Sequence, residues 1–97
     1  MIKVYINKDE IKVSGHALYD ESGKDIVCAS VSTILTTTVN AIIRFDDDSI
    51  NYDDKNGLDI KILKHTKESD VLIENMISLL EELEENYPKN IKIYREV

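Results

Sequence analysis

The chain has 97 residues, of which 42% are apolar and 32% charged, and its formal net charge is −7. That length allows one domain, residues 1–97, with a single core, and the composition is typical of an ordered soluble chain rather than a disordered one. The excess of 19 acidic over 12 basic residues disfavours binding to nucleic acids or anionic membranes and would attract a basic partner, although solubility alone also accounts for it.

The chain begins with a predicted β-hairpin. Ile2–Ile6 and Ile11–Ser14 alternate apolar and polar residues, and Asn7-Lys8-Asp9-Glu10 joins them as a four-residue turn. This start lacks the continuous apolar run of a signal peptide, and we find no stretch of transmembrane length. We therefore expect a cytoplasmic protein whose single cysteine stays reduced.

The segment after the hairpin has no periodicity and carries a glycine near each end. His16 stands at its start, just past the second strand. A segment of this kind is typical of a mobile loop that orders when it binds substrate. The predicted substrate loop comprises Ala17, Leu18, Tyr19, Asp20, Glu21, Ser22, Gly23 and Lys24.

A helix is predicted from Asp25 to about Phe45. Asp25 is a favourable N-cap residue. The β-branched residues of the segment would also suit a strand, but the apolar residues follow the helical period and not a two-residue alternation. The residues at helical spacing are Val27, Val31, Ile34, Leu35, Thr38 and Ile42.

The second half predicts a weak strand near 49–52, a hairpin turn at Asn56-Gly57 and a half-buried strand at Leu58–Ile62. A helix over about 69–85 and a last strand at Ile91–Tyr94 follow. The predicted fold is therefore α+β, a small α/β sandwich with a mostly antiparallel sheet and two helices in the order β-β-α-β-β-α-β.

The second predicted helix has an apolar surface wider than packing on one sheet would need. We expect part of this surface to bury against another subunit. Its apolar positions are Leu72, Ile73, Met76, Ile77, Leu79, Leu80 and Leu83.

Cys28 falls in the first turn of the first predicted helix, where free N–H groups and the helix dipole favour a thiolate. It lies at the margin of the apolar stripe, where one side can be packed while the other is open to a substrate. Ser32 follows one turn later, closer to solvent. Because a free cysteine also behaves as a small buried hydrophobe, position alone leaves both a nucleophile and a packed residue open.

The residues Gly15-His16-Ala17, Gly23 and Asp25-Ile26-Val27-Cys28-Ala29, followed by Val31-Ser32, resemble the signature of the ribosomal-processing cysteine protease family, Prp. The resemblance implies a homodimeric peptidase without metal or cofactor. Its implied substrate is the basic large-subunit ribosomal protein numbered twenty-seven, which loses an N-terminal extension after an aromatic residue. His16 is then the general base and acid and Cys28 the nucleophile, and Gly15, Asp25 and Ser32 match supporting positions.

Two further assignments follow from the predicted chemistry. The N–H groups of Cys28 and Ala29 are the nearest donors for the oxyanion of the tetrahedral intermediate. Asp25 either caps the helix or orients His16. The alternative function, from a different class, is a non-catalytic α/β interaction module that binds ribosomal protein or ribosome and only packs Cys28.

Three other features predict structure rather than catalysis. His65 is expected to be a surface or capping residue. Asp46-Asp47-Asp48 lacks the glycine and distal glutamate of an EF-hand loop, so we predict a solvated turn rather than a metal site. Glutamates crowd the end of the second helix, where the dipole disfavours them, and we expect them to face a basic partner: Glu81, Glu82, Glu84 and Glu85.

Overall fold

The computed structural model describes residues 1–15, 26–55 and 57–96. Its two helices and five strands confirm the predicted order of elements. They are β1 (Ile2–Ile6), β2 (Glu10–Ser14), α1 (Ile26–Phe45), β3 (Ile50–Asp53), β4 (Leu58–Ile62), α2 (Lys67–Asn86) and β5 (Ile91–Arg95).

The strands form one sheet in the order β3-β4-β2-β1-β5. Every pair of neighbours is antiparallel except β1 and β5, which run parallel. Alternate residues of the strands, such as Val4, Ile11 and Ile60, are buried against the helices. The opposite face of the sheet is polar and carries exposed lysines and two stacked tyrosines: Lys3, Tyr5, Lys12, Lys61, Lys92 and Tyr94.

Helix α1 confirms the helix predicted from the spacing of the apolar residues. A row of buried residues one helical turn apart packs into the core, while three of the four threonines of the helix are exposed. The hydroxyl of the buried Thr38 donates to the carbonyl oxygen of Ile34 at 2.8 Å, so its burial leaves no unpaired hydroxyl. The buried row comprises Val27, Val31, Leu35, Val39 and Ile42.

By length and composition alone, α1 could also cross a membrane. This corrects the sequence-based expectation that no stretch reaches that length. The core helix of a small α/β fold satisfies the same criterion, and the buried row of α1 contributes to the common core with β1, β2 and α2.

Helix α2 begins two residues earlier than predicted because of a local capping arrangement. The Thr66 hydroxyl accepts from the N–H of Ser69 at 3.0 Å, and the Ser69 hydroxyl accepts from the N–H of Thr66 at 3.2 Å. This reciprocal pair satisfies N–H groups that the first turn would otherwise leave free.

The wide apolar surface of α2 is accounted for mostly within the chain, because α2 packs against α1 as well as the sheet. Ile73, Met76 and Leu80 are buried, whereas Leu79 is 41% exposed. Of the predicted surface, Leu79 is thus the residue most available to meet a partner.

Two of the four crowded glutamates have partners inside the chain. The expectation that the cluster faces a basic protein therefore applies mainly to the other two. The Glu84 carboxylate accepts from the backbone N–H of Ile93 at 2.8 Å. Glu81 lies 3.6 Å from the Arg95 guanidinium. Both contacts join the end of α2 to the edge strand β5.

His65 lies at the surface, as predicted, between two carboxylates. Its Nε2 is 2.9 Å from Asp9 and its Nδ1 is 3.0 Å from Asp70. The hydrogen bonds that the His65 ring donates, to Asp9 first and then to Asp70, raise its pKa above the ordinary value. The imidazolium thereby joins the β1–β2 turn to the first turn of α2.

The raised pKa of His65 makes part of the stability of the fold dependent on pH. This contribution is fully present below about pH 6.5, the ordinary pKa of histidine, and is lost as the pH rises through the higher pKa of the folded protein. We expect wild type to be more stable than His65→Gln in urea unfolding at about pH 5.5, and the difference to narrow at about pH 9. A difference that stayed constant would contradict this role.

Candidate active site

Cys28 is the third residue of α1 and is half-buried. One side of it packs against the hydrophobic core, and the other lines a groove. This arrangement does not match a fully packed structural cysteine. It matches the predicted border position, where the core fixes the side chain and the groove gives a reactant access to it.

The groove has a volume of about 430 Å³ and an apolar floor from α1 and the sheet, which includes Val31, Leu35 and Leu58. One rim of the groove is a row of polar side chains on α1, four residues apart. The opposite rim includes Tyr52 and Asp54 from the β3–β4 hairpin. A mostly apolar concave surface with a few polar groups is the usual form of a binding site. The polar row on α1 comprises Ser32, Thr36 and Asn40.

Two glycines line the groove where backbone segments approach closely. Gly15 has a φ of +81°, and a Cβ there would overlap the carbonyl oxygen of Met1. Gly57 has a φ of +88°, and a Cβ there would overlap the carbonyl oxygen of Val13. Both positions therefore require glycine for conformation and for space. Gly15 also fixes where the chain leaves β2, immediately before His16.

The structure brings three of the predicted site residues to this groove: Cys28, Ser32 and Gly15. Ala29 is exposed and lines a different groove, between α1 and α2, so its side chain is not part of this site. Its predicted role rests on the backbone N–H and stays a prediction. His16, Asp25 and the predicted substrate loop of residues 17–24 lie outside the described residues.

Sequence reasoning missed four residues of the groove. Thr36 and Asn40 continue the four-residue spacing of Cys28 and Ser32, so the helical period contained a signal for them. Tyr52 and Asp54 come from the β3–β4 hairpin, far along the chain, and no local pattern connects them with Cys28.

Two other polar clusters lie apart from Cys28. His65 lines a cavity with Asp9 and Asp70 that does not include the cysteine. At the end of α1, the Asp46 carboxylate accepts from the N–H of Asp48 and from Lys64, each at 3.0 Å. The hydrogen bond from Lys64, followed by that from the Asp48 N–H, lowers the pKa of Asp46.

Although the carboxylates of Asp46, Asp47 and Asp48 lie within 4.8 Å of one another, both oxygens of Asp46 thus have partners in the chain. This geometry agrees with the predicted turn.

Comparison with known proteins gives concordant results. A family model described as cysteine protease Prp matches residues 1–92. A Staphylococcus aureus protein named ribosomal processing cysteine protease Prp is 36% identical over 88 residues, which cover 87% of this chain and 83% of the relative. Its namesake in Mycoplasma genitalium is 30% identical and covers 99% of this chain and 97% of the relative.

The solved structures agree with this relationship. The crystal structure of the S. aureus ribosomal processing protease Prp with a covalently linked product peptide has a TM-score of 0.84 and 34% identity. It covers 99% of this chain and 100% of that chain. A second S. aureus structure, in complex with a substrate peptide, has a TM-score of 0.82 and 33% identity.

The access to Cys28 has a direct chemical test. Because the thiol lines an open groove in the first turn of a helix, we expect iodoacetamide to alkylate it in the folded protein at neutral pH. Mass spectrometry of the intact chain measures the rate. Alkylation only after urea unfolding would instead indicate a packed, inert cysteine.

Proposed function

The chain belongs to the cysteine protease Prp family, and from this membership we propose that it removes the N-terminal extension of the large-subunit ribosomal protein numbered twenty-seven. The observation that carries the proposal is the half-buried Cys28, in the first turn of α1 and beside a groove. A non-catalytic interaction module that only packs its cysteine would not need this position.

The proposed reaction uses a Cys28–His16 dyad. The Cys28 thiolate attacks the scissile carbonyl carbon, and the His16 imidazolium protonates the leaving amine. His16 then takes a proton from water, which hydrolyses the acyl-enzyme and restores the thiol. The assignment of His16 is supported by its neighbour Gly15, which lines the same groove as Cys28.

The remaining predicted site residues would assist this dyad. Backbone N–H groups at Cys28 and Ala29, in the first turn of α1, would bind the oxyanion that forms during attack. Ser32 is exposed one turn beyond Cys28, and its hydroxyl has no hydrogen-bond partner among the described residues. It is therefore available to position the substrate or the thiolate.

The proposed substrate is a basic protein, which fits the charge of this chain. With a net charge of −7, the protease would attract a basic ribosomal protein and repel nucleic acid and anionic membranes. Since Glu81 and Glu84 have partners in β5, Glu82 and Glu85 are the members of the cluster more available for this attraction. We also propose a cytoplasmic location, where ribosomal proteins are made.

A homodimer is the proposed assembly. Its support is a second groove between α1 and α2, with a volume of about 450 Å³. Ile26 and Leu79 line this groove and are 54% and 41% exposed. Burial of such side chains against a second copy would remove apolar surface from water.

The proposed dyad predicts which histidine the reaction needs. Wild type should cut a peptide that spans the N-terminal extension of the substrate at one position, as measured by mass spectrometry. Cys28→Ala should not cut, and His16→Ala should be slower by roughly 10²–10⁴-fold because it lacks the general acid and base. His65→Ala is the matched control and should keep the wild-type rate at pH about 7. Equal rates for the two histidine variants would contradict the dyad.

Asp25 can be tested by separating its two possible roles. We propose that it caps α1, because aspartate immediately before a helix accepts from first-turn N–H groups. Asp25→Ala should then lower the free energy of unfolding by about 1 kcal/mol, whereas Asp25→Asn should keep both stability and cleavage rate. A stable Asn variant with a much slower rate would show that the carboxylate orients His16.

A further inference from the structure

The polar row on α1 extends well beyond the residues that the chemical step needs. Cys28, Ser32, Thr36 and Asn40 are each four residues apart and line the same groove. With a rise of about 1.5 Å per residue, the row extends roughly 18 Å from Cys28 to Asn40. The groove thus continues for three helical turns beyond the nucleophile.

Among the described residues, the side chains of Ser32, Thr36 and Asn40 have no hydrogen-bond partner. Thr36 and Asn40 are exposed, and neither side chain makes a hydrogen bond within the part of the chain that the structure describes. Threonine and asparagine are also weak helix formers. Neither hydrogen bonding to the described part of the chain nor helix propensity explains an asparagine at position 40, three turns into α1.

The row lies above an apolar floor and opposite a second wall. Val31, Leu35 and Val39 form the floor from the same helix. Tyr52, which is 49% exposed, lies on the side of the β3–β4 hairpin. A strand of peptide placed between the two could bury alternate side chains on the floor and present its backbone amides to the row.

We propose that Asn40, at the distal end of the row, is a substrate-binding residue that hydrogen-bonds the backbone of the substrate strand. An extended chain rises about 3.3 Å per residue, so 18 Å corresponds to roughly five or six residues on one side of the scissile bond. This inference rests on the proposed function, because it identifies the bound strand as the peptide that Cys28 cleaves. It defines a minimum length of substrate for full affinity.

The experiment measures peptide binding separately from cleavage. Fluorescent peptides that span the cleavage site of the ribosomal protein are shortened one residue at a time from either end. Their dissociation constants are measured by fluorescence anisotropy with three inactive proteins: Cys28→Ala, Cys28→Ala with Asn40→Ala, and Cys28→Ala with Asn75→Ala. Asn75 is an exposed residue of α2 outside the groove, so its variant is the matched control.

We expect Asn40→Ala to weaken binding of the longest peptide roughly three- to tenfold, as for the loss of one hydrogen bond. The loss should disappear when fewer than five residues are left on one side of the scissile bond. Asn75→Ala should match the Cys28→Ala protein at every length. Alanine favours a helix more than asparagine does, so weaker binding would not come from loss of folding.

The inference is overturned if Asn40→Ala has no effect on the longest peptide, if it weakens all lengths equally, or if the Cys28→Ala protein does not bind the peptides. Cleavage by the protein with intact Cys28 tests the proposed function separately. A length-dependent effect of Asn40 without cleavage would support the peptide-binding groove and reject the proposed reaction. Cleavage by the intact protein that is unchanged by Asn40→Ala would support the proposed reaction and reject the binding role of Asn40.

Discussion

The site depends on how α1 packs against the sheet. The buried row from Val27 to Ile42 fixes the rotation of the helix about its axis. That rotation places Cys28 at the boundary between core and groove and, at the same time, places the row of Ser32, Thr36 and Asn40 along the rim. Cys28 and the groove beside it are therefore held by the same apolar contacts, which are among the most strongly stabilising in a domain of this size.

Local patterns determine much of the fold, and the sequence therefore predicts it well. Alternation defines β1 and the complete β4, and the helical period identifies α1 despite its β-branched residues. The start of α2 differs because the capping pair of Thr66 and Ser69 uses a serine where the usual motif has glutamate or glutamine. The parallel pairing of β1 with β5 and the central pairing of β2 with β4 depend on tertiary contacts that no short window contains.

The residues of the candidate site also differ in whether a local sequence pattern can identify them. Cys28 and Ser32 can be identified from the helix start, the spacing and the family signature, and Gly15 is explained by its positive φ and the nearby Met1 carbonyl. Tyr52 and Asp54 reach the groove only because β4 pairs with β2, which brings the β3–β4 hairpin beside the end of β2. A sequence pattern cannot predict such residues without the strand order.

Charge has two separate functions in this acidic chain. Some carboxylates act inside the fold: Glu84 accepts from an edge-strand N–H, and Asp9 and Asp70 bind the two nitrogens of His65. The count of acidic residues alone therefore overstates how much negative charge is free to attract the proposed basic substrate. Asp54 differs, because it lines the groove of Cys28 and its carboxylate has no partner among the described residues. For the proposed basic substrate, Asp54 would therefore add a local attraction at the groove to the long-range attraction of the whole acidic chain.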